Sequence, residues 1–179
     1  MLRIAVLASH EGTIFQALVN FCRQRNVTAK VVLLICNNPN APVMQRARKA
    51  KIKASHFSSI THPSRGMLDT AINRELINEN IDLIVLAGYM KKLGPSVLGS
   101  HENRIINVHP SLLPKYGGLG FYGSRVHEAV IQSGDRETGA TVHLVTEDYD
   151  SGKRLFQEKV KVKSDDTPAS LAKRLKPLE

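Results

Sequence analysis

Asn107 and His109 stand two residues apart at the end of a short apolar run, 104–108, and Asp150 follows in the polar stretch Glu147-Asp148-Tyr149-Asp150-Ser151-Gly152. Residues two apart in an extended strand leave on the same face, so an amide and an imidazole placed there can grip one carbonyl oxygen. Together with a carboxylate they supply an oxyanion-stabilising donor, a group that titrates near neutrality, and an acid to orient or relay protons. The same residues also have a plainer reading, with His109 held by a backbone carbonyl in a loop and Asp150 forming a turn ahead of glycine. Spacing alone does not choose the first over the second.

Other chemistries are less well supplied. Ser111 lacks the flanking glycines of a nucleophile elbow, and Cys22 lies on an apolar helix face. His10, His56, His62, His101, His127 and His143 are scattered without ligand spacing. No metal site is expected, and each of these histidines reads as surface or packing. The stretch Ser9-His10-Glu11-Gly12-Thr13 leads into a helix start, where free N–H groups and the helix dipole favour an anion such as phosphate. It is neither a dinucleotide fingerprint nor a P-loop, and an ordinary loop with Thr13 as N-cap describes it equally well.

The elements that must position these residues follow from periodicity. Apolar runs at 3–8 and 30–36 read as strands, and Ile14, Ala17, Leu18, Phe21 and Cys22 recur at helical spacing between them. Residues 42–50 read as a helix opened by Pro42, and 68–80 as another through Leu68, Ile72, Leu76 and Ile77. The near-continuous apolar run 81–87 is typical of a central parallel strand covered on both faces. A turn at Gly94-Pro95, a strand at 104–108, a glycine-rich loop at 115–123, a helix at 124–132 and strands at 138–145 and 155–160 come next. Asp166 or Thr167 caps a last short helix with Pro168 at its first position. The alternation predicts an α/β fold, an open, mostly parallel twisted sheet with helices on both faces, whose ligands sit beyond the carboxyl ends of the strands.

The chain has 179 residues, the usual size of a single domain. Its two cysteines, Cys22 and Cys36, show no ligand spacing and fit a reducing compartment, so a cytoplasmic protein is expected. No apolar run approaches the length that crosses a bilayer, and no membrane partner is expected. Lysine and arginine outnumber the acids by 25 to 16, but the excess is dispersed with few aromatics between, which argues against nucleic acid and for solvated surface with a minority serving an anionic small molecule.

The segments Asn107-Val108-His109-Pro110-Ser111-Leu112-Leu113-Pro114, Gly139-Ala140-Thr141-Val142-His143 and Tyr149-Asp150-Ser151-Gly152 closely resemble the formyltransferases that use 10-formyltetrahydrofolate. The resemblance runs over nearly the whole chain. It implies a Rossmann-like formyltransferase fold and transfer of a formyl group from 10-formyltetrahydrofolate, as co-substrate, to the amine of glycinamide ribonucleotide, with no metal. By the same resemblance Asn107, His109 and Asp150 are the catalytic residues, and Glu11, Gly12, Thr13 and Ile14 form the phosphate loop. Met90, Lys91, Lys92 and Leu93 then line the folate cleft, Tyr149, Ser151 and Gly152 belong to the pterin pocket, Arg65 lies near the folate tail or substrate, and Glu179 contacts the glycinamide end.

Two departures from the family pattern stand out. The loop reads His10-Glu11-Gly12-Thr13-Ile14 where relatives read Gly-x-Gly-Ser/Thr-Asn, so an acid enters where phosphate is expected. Relatives also continue past Glu179 with a histidine and another helix, so residues 1–179 read as one catalytic domain with a truncated helical end. Formylation of a different amine, such as an amino-sugar nucleotide, and a noncatalytic folate or nucleotide binder remain as alternatives. Hydrolysis of the formyl group is disfavoured, because such hydrolases carry a second histidine where Pro110 stands. A homodimer is left open.

Overall fold

The computed structural model describes Met1–Glu179 as two compact units, Met1–Ile106 and Asn107–Glu179. Strands and helices alternate in the first unit: β1 (Leu2–Ala8), α1 (Thr13–Cys22), β2 (Ala29–Cys36), α2 (Pro42–Ala50), β3 (Lys53–His56), α3 (Arg65–Asn78), β4 (Leu83–Leu86) and α4 (Pro95–Ser100). The chain passes through β5 (Ile105–His109) into the second unit, which holds α5 (Ser124–Ser133), β6 (Glu137–Leu144), β7 (Arg154–Lys161) and α6 (Pro168–Leu175). The strands make one seven-stranded sheet in the order β3-β2-β1-β4-β5-β6-β7. β1 runs parallel to both β2 and β4, β3 runs parallel to β2, and β7 turns back antiparallel to β6. This is the open, mostly parallel sheet that the alternation of patterns predicts.

In the first unit, alternate residues of β1 explain the packing. Ile4, Val6 and Ala8 enter a core with Val31, Leu34, Phe15, Val19, Val43 and Ala47 from β2, α1 and α2. Ala5 and Leu7, on the other face, are just as fully buried, so both faces of β1 are covered. A chain so placed at the centre of a sheet delivers whatever follows its carboxyl end to the ligand side of the fold.

Several expectations are corrected by the structure. Thr13 is the first helical residue of α1 rather than its cap; Gly12 occupies the cap position at φ 71, and no side chain caps the helix. The Gly94-Pro95 turn opens a short helix, α4, because Pro95 suits the first helical position and the Asp69 carboxylate receives the N–H groups of Gly94 at 3.0 Å and Ser96 at 2.7 Å. The short edge strand β3 has no apolar run to announce it, and its Lys53 ion-pairs with Glu75 and Glu79 of the α3 region. Ile77, read as part of the apolar stripe of α3, is 54% exposed.

In the second unit, Thr167 and Ser170 form a capping box at the start of α6, with Pro168 at the first turn as the sequence suggests. Leu171 and Leu175 then close a small core with Val130 of α5. No helix is long and apolar enough to cross a membrane.

Candidate active site

His109 is the last residue of β5 and is 4% exposed. Its Nε2 lies 2.7 Å from the Tyr116 carbonyl oxygen, which can only accept, so Nε2 carries a hydrogen and Nδ1 faces Asp150 Oδ2 at 3.6 Å. Burial pushes the His109 imidazole below its ordinary range, against the pull of Asp150 and the Tyr116 carbonyl. Tyr116 holds its carbonyl there at a φ of 56, and its hydroxyl is anchored on Ser133 at 2.5 Å and Asp135 at 2.9 Å. A bulky residue in the left-handed region persists only where its surroundings fix it, and here both ends of Tyr116 are fixed.

Asp150 sits in the β6–β7 connection, also left-handed, at φ 53. The Gly118 N–H donates to its Oδ2 at 2.8 Å. His143 Nε2 lies 3.3 Å from its Oδ1. Burial raises the carboxyl, but the His143 hydrogen bond, the Gly118 N–H and the charges on His109 and His143 outweigh it and hold Asp150 below the usual carboxylate range. Gly117 leaves room for this approach, since a Cβ there would lie 2.4 Å from Leu113 Cδ2 and 3.2 Å from Asp150 Cβ.

Asn107, two residues before His109 on β5, points its Nδ2 at His143 Nε2 across 3.1 Å. The reading of His143 as surface or packing is therefore corrected: the ring is 2% exposed and joins Asn107 to Asp150. Its Nδ1 donates to the Leu144 carbonyl at 2.9 Å, which leaves Nε2 between an amide and a carboxylate. A neutral ring accepts there from Asn107, whereas a charged ring donates to Asp150. The signal available in sequence was a histidine inside the apolar run 140–145, where a buried ring must find polar partners.

The remaining residues of interest are distributed over both units. In the second, Tyr149 and Ser151 are exposed on either side of Asp150, and Ser151 Oγ lies 2.9 Å from Thr146 Oγ1. Gly152 passes so close to β6 that a Cβ would stand 1.9 Å from the Leu144 carbonyl oxygen. Glu179 follows α6, where burial pushes its carboxyl up. In the first unit, Glu11 and Thr13 are exposed, Gly12 is buried and Ile14 partly so, at an α1 start whose N–H groups have no side-chain cap. Met90, Lys91 and Lys92 are exposed beyond β4, Leu93 is buried, and Arg65 is exposed at the first turn of α3.

The chain is 39% identical over 167 residues to phosphoribosylglycinamide formyltransferase of Haemophilus influenzae, covering 93% of this chain and 76% of that one. It is 37% identical over 174 residues to the chloroplastic phosphoribosylglycinamide formyltransferase of Arabidopsis thaliana, covering 97% of this chain but only 60% of the relative's length. The crystal structure of glycinamide ribonucleotide transformylase 1 from Symbiobacterium toebii superposes with a TM-score of 0.92 at 36% identity, covering 99% of this chain and 81% of that one. Residues 2–179 match the formyl transferase family along their whole length, and the chain belongs to that family.

Proposed function

We propose that this protein transfers a formyl group from 10-formyltetrahydrofolate to the amino group of glycinamide ribonucleotide, a step of purine synthesis, and that residues 1–179 act as one catalytic domain. The observation that carries this reading is the Asn107–His143–Asp150–His109 cluster, a buried set of hydrogen-bonding groups around one carboxylate. The substrate amine attacks the formyl carbon, a C–N bond forms, and the carbonyl oxygen gains negative charge. Asn107 has a second amide hydrogen beyond the one aimed at His143, and it donates to that oxygen. His109, with both ring nitrogens turned to protein acceptors, contributes through its charge when protonated and through its hold on Asp150. Asp150 takes the proton released by the amine; breaking the bond to N10 and returning a proton to that nitrogen completes the transfer.

Glu11, Gly12, Thr13 and Ile14 take the phosphate at the uncapped start of α1, and Met90 to Leu93, with Arg65, take the folate. Tyr149, Ser151 and Gly152 flank the pterin, and Glu179 the glycinamide. The exposed Glu11 carboxylate favours a second reading in which the amine belongs to a molecule with a less charged group at this position. Two free cysteines suit the reducing cytoplasm, and neither nucleic acid nor membrane is needed for the reaction.

The test is formyl transfer followed by the absorbance of the deformylated folate, with glycinamide ribonucleotide as acceptor. Turnover that requires the acceptor and falls about 100-fold or more in Asn107→Asp supports the assignment. Bound folate without turnover on this acceptor rejects glycinamide ribonucleotide and moves the search to other amines.

A further inference from the structure

Ser9 is a buried polar residue that the reaction above leaves without a part. It follows the last residue of β1, directly before the loop 10–14, and it is 1% exposed. Its hydroxyl donates to Asn37 Oδ1 at 2.5 Å and accepts the Met90 N–H at 2.9 Å, while its own N–H donates to the Gly88 carbonyl at 3.2 Å. One side chain thus ties three segments that have no covalent link nearby: the entry to loop 10–14, the turn after β2, and the stretch that leads into Met90 to Leu93. Its hydroxyl thus both donates and accepts within the protein.

The other side of the loop is equally restrained. The Val43 N–H donates to the His10 carbonyl at 3.1 Å, and Arg46 Nε donates to the Glu11 carbonyl at 2.8 Å. The Val43 side chain fills the space where a Cβ on Gly12 would stand, 2.3 Å from Cγ2. With both carbonyls drawn back to α2, the loop has little freedom except through its joint at Ser9. A displacement of the loop there is a displacement of Met90, because the same oxygen serves both.

We propose that Ser9 is a positioning residue that sets loop 10–14 in register with the segment 90–93, so that occupation of one is felt at the other. The inference rests on the assignment of these segments to phosphate and folate made above. A serine that merely satisfied a strand end would affect stability and leave ligand affinities alone. A register residue affects the affinities and, above all, the coupling between them, which must be reciprocal.

The experiment titrates the full chain with 5,8-dideazafolate, with and without saturating glycinamide ribonucleotide, for wild type, Ser9→Ala and Ser9→Thr. Wild type binds the folate analogue with an affinity that changes about fivefold or more when the ribonucleotide is present. Ser9→Ala loses most of that change and binds each ligand more weakly, by about fivefold or more, because the hydroxyl's bonds to Asn37 and Met90 are both lost. Ser9→Thr, which keeps the hydroxyl, retains the coupling even if its melting temperature falls. If wild type binds both ligands independently, or if Ser9→Ala keeps the coupling, the inference is wrong while the proposed reaction stands. If wild type binds neither ligand, the proposed reaction fails and takes the inference with it.

Discussion

Replacing His143 with alanine tests how Asp150 is kept ready to receive a proton. The ring is buried, with Nε2 3.3 Å from Asp150 Oδ1 and 3.1 Å from Asn107 Nδ2. Burial alone drives the carboxyl up, and the His143 hydrogen bond is the largest influence opposing it. A hydrogen bond to a charged group contributes roughly 1.5–3 kcal/mol, which is about 10- to 100-fold in an equilibrium constant. The sign follows from the chemistry. A carboxylate base works above its own pKa, and a lowered pKa keeps it ionised further into acid. Without His143 the carboxyl rises, so the acid limb of the activity profile moves to higher pH by about one to two pH units, and kcat/KM falls about 10- to 100-fold on that limb while changing little near neutrality. The assay is kcat/KM for formyl transfer across roughly pH 3 to 9, with His143→Gln beside alanine as a variant that keeps an N–H donor. Glutamine recovering part of the shift separates hydrogen bonding from cavity formation. An acid limb that coincides with wild type in His143→Ala, with the fold intact by circular dichroism, would refute the reasoning.

Three further outcomes are expected. Gly152→Ala sets a Cβ 1.9 Å from the Leu144 carbonyl oxygen, backbone that cannot step aside, so stability falls by about 3 kcal/mol or more and thermal melting by about 6 °C or more. Thr167→Ala removes one half of the capping box of α6 and costs about 1 kcal/mol, seen as a melting temperature lower by about 2–4 °C with activity unchanged per folded molecule. His109 has its folded pKa lowered by burial, so the unfolded chain binds the proton first and stability declines as pH drops below the ordinary imidazole value of about 6.5. His109→Gln flattens that part of the curve of melting temperature against pH, leaving the more acidic loss that accompanies protonation of Asp150.

What the sequence disclosed depended on how local the determining interaction was. The strands β1 and β2 and the helix α2 follow from runs of residue types that act within their own element, and α6 follows from Thr167 and Pro168. Helix α4 was hidden because its first turn is stabilised by Asp69, a residue of α3 far away in sequence. Strand β3 was hidden because its polar residues are answered by Glu75 and Glu79 rather than by a core. In the site, Asn107 and His109 show themselves through the two-residue period of β5. The Tyr116 carbonyl that fixes the His109 tautomer is backbone, which no residue pattern displays. His143 lay inside an apolar run, and its meaning came only when the β6–β7 connection brought Asp150 back to it.

The hydrogen-bond directions in the second unit bear on which proton state the site favours. His109 and His143 each donate from the ring nitrogen remote from Asp150, to the carbonyls of Tyr116 and Leu144. With both rings neutral, the nitrogens that face the carboxylate carry lone pairs, and an ionised Asp150 then meets His109 Nδ1 at 3.6 Å and His143 Nε2 at 3.3 Å without a hydrogen between them. One proton between the carboxylate and a ring removes that conflict by supplying the missing hydrogen bond. The proton released by an attacking amine is of this kind. Its arrival at Asp150 completes a hydrogen bond to a histidine. If it settles on Nε2 of His143, Asn107 can no longer donate to that nitrogen and its amide is freed for the substrate oxygen. In the proposed reaction, proton uptake and oxygen stabilisation are thereby joined through one buried ring, whose tautomer the Leu144 carbonyl sets.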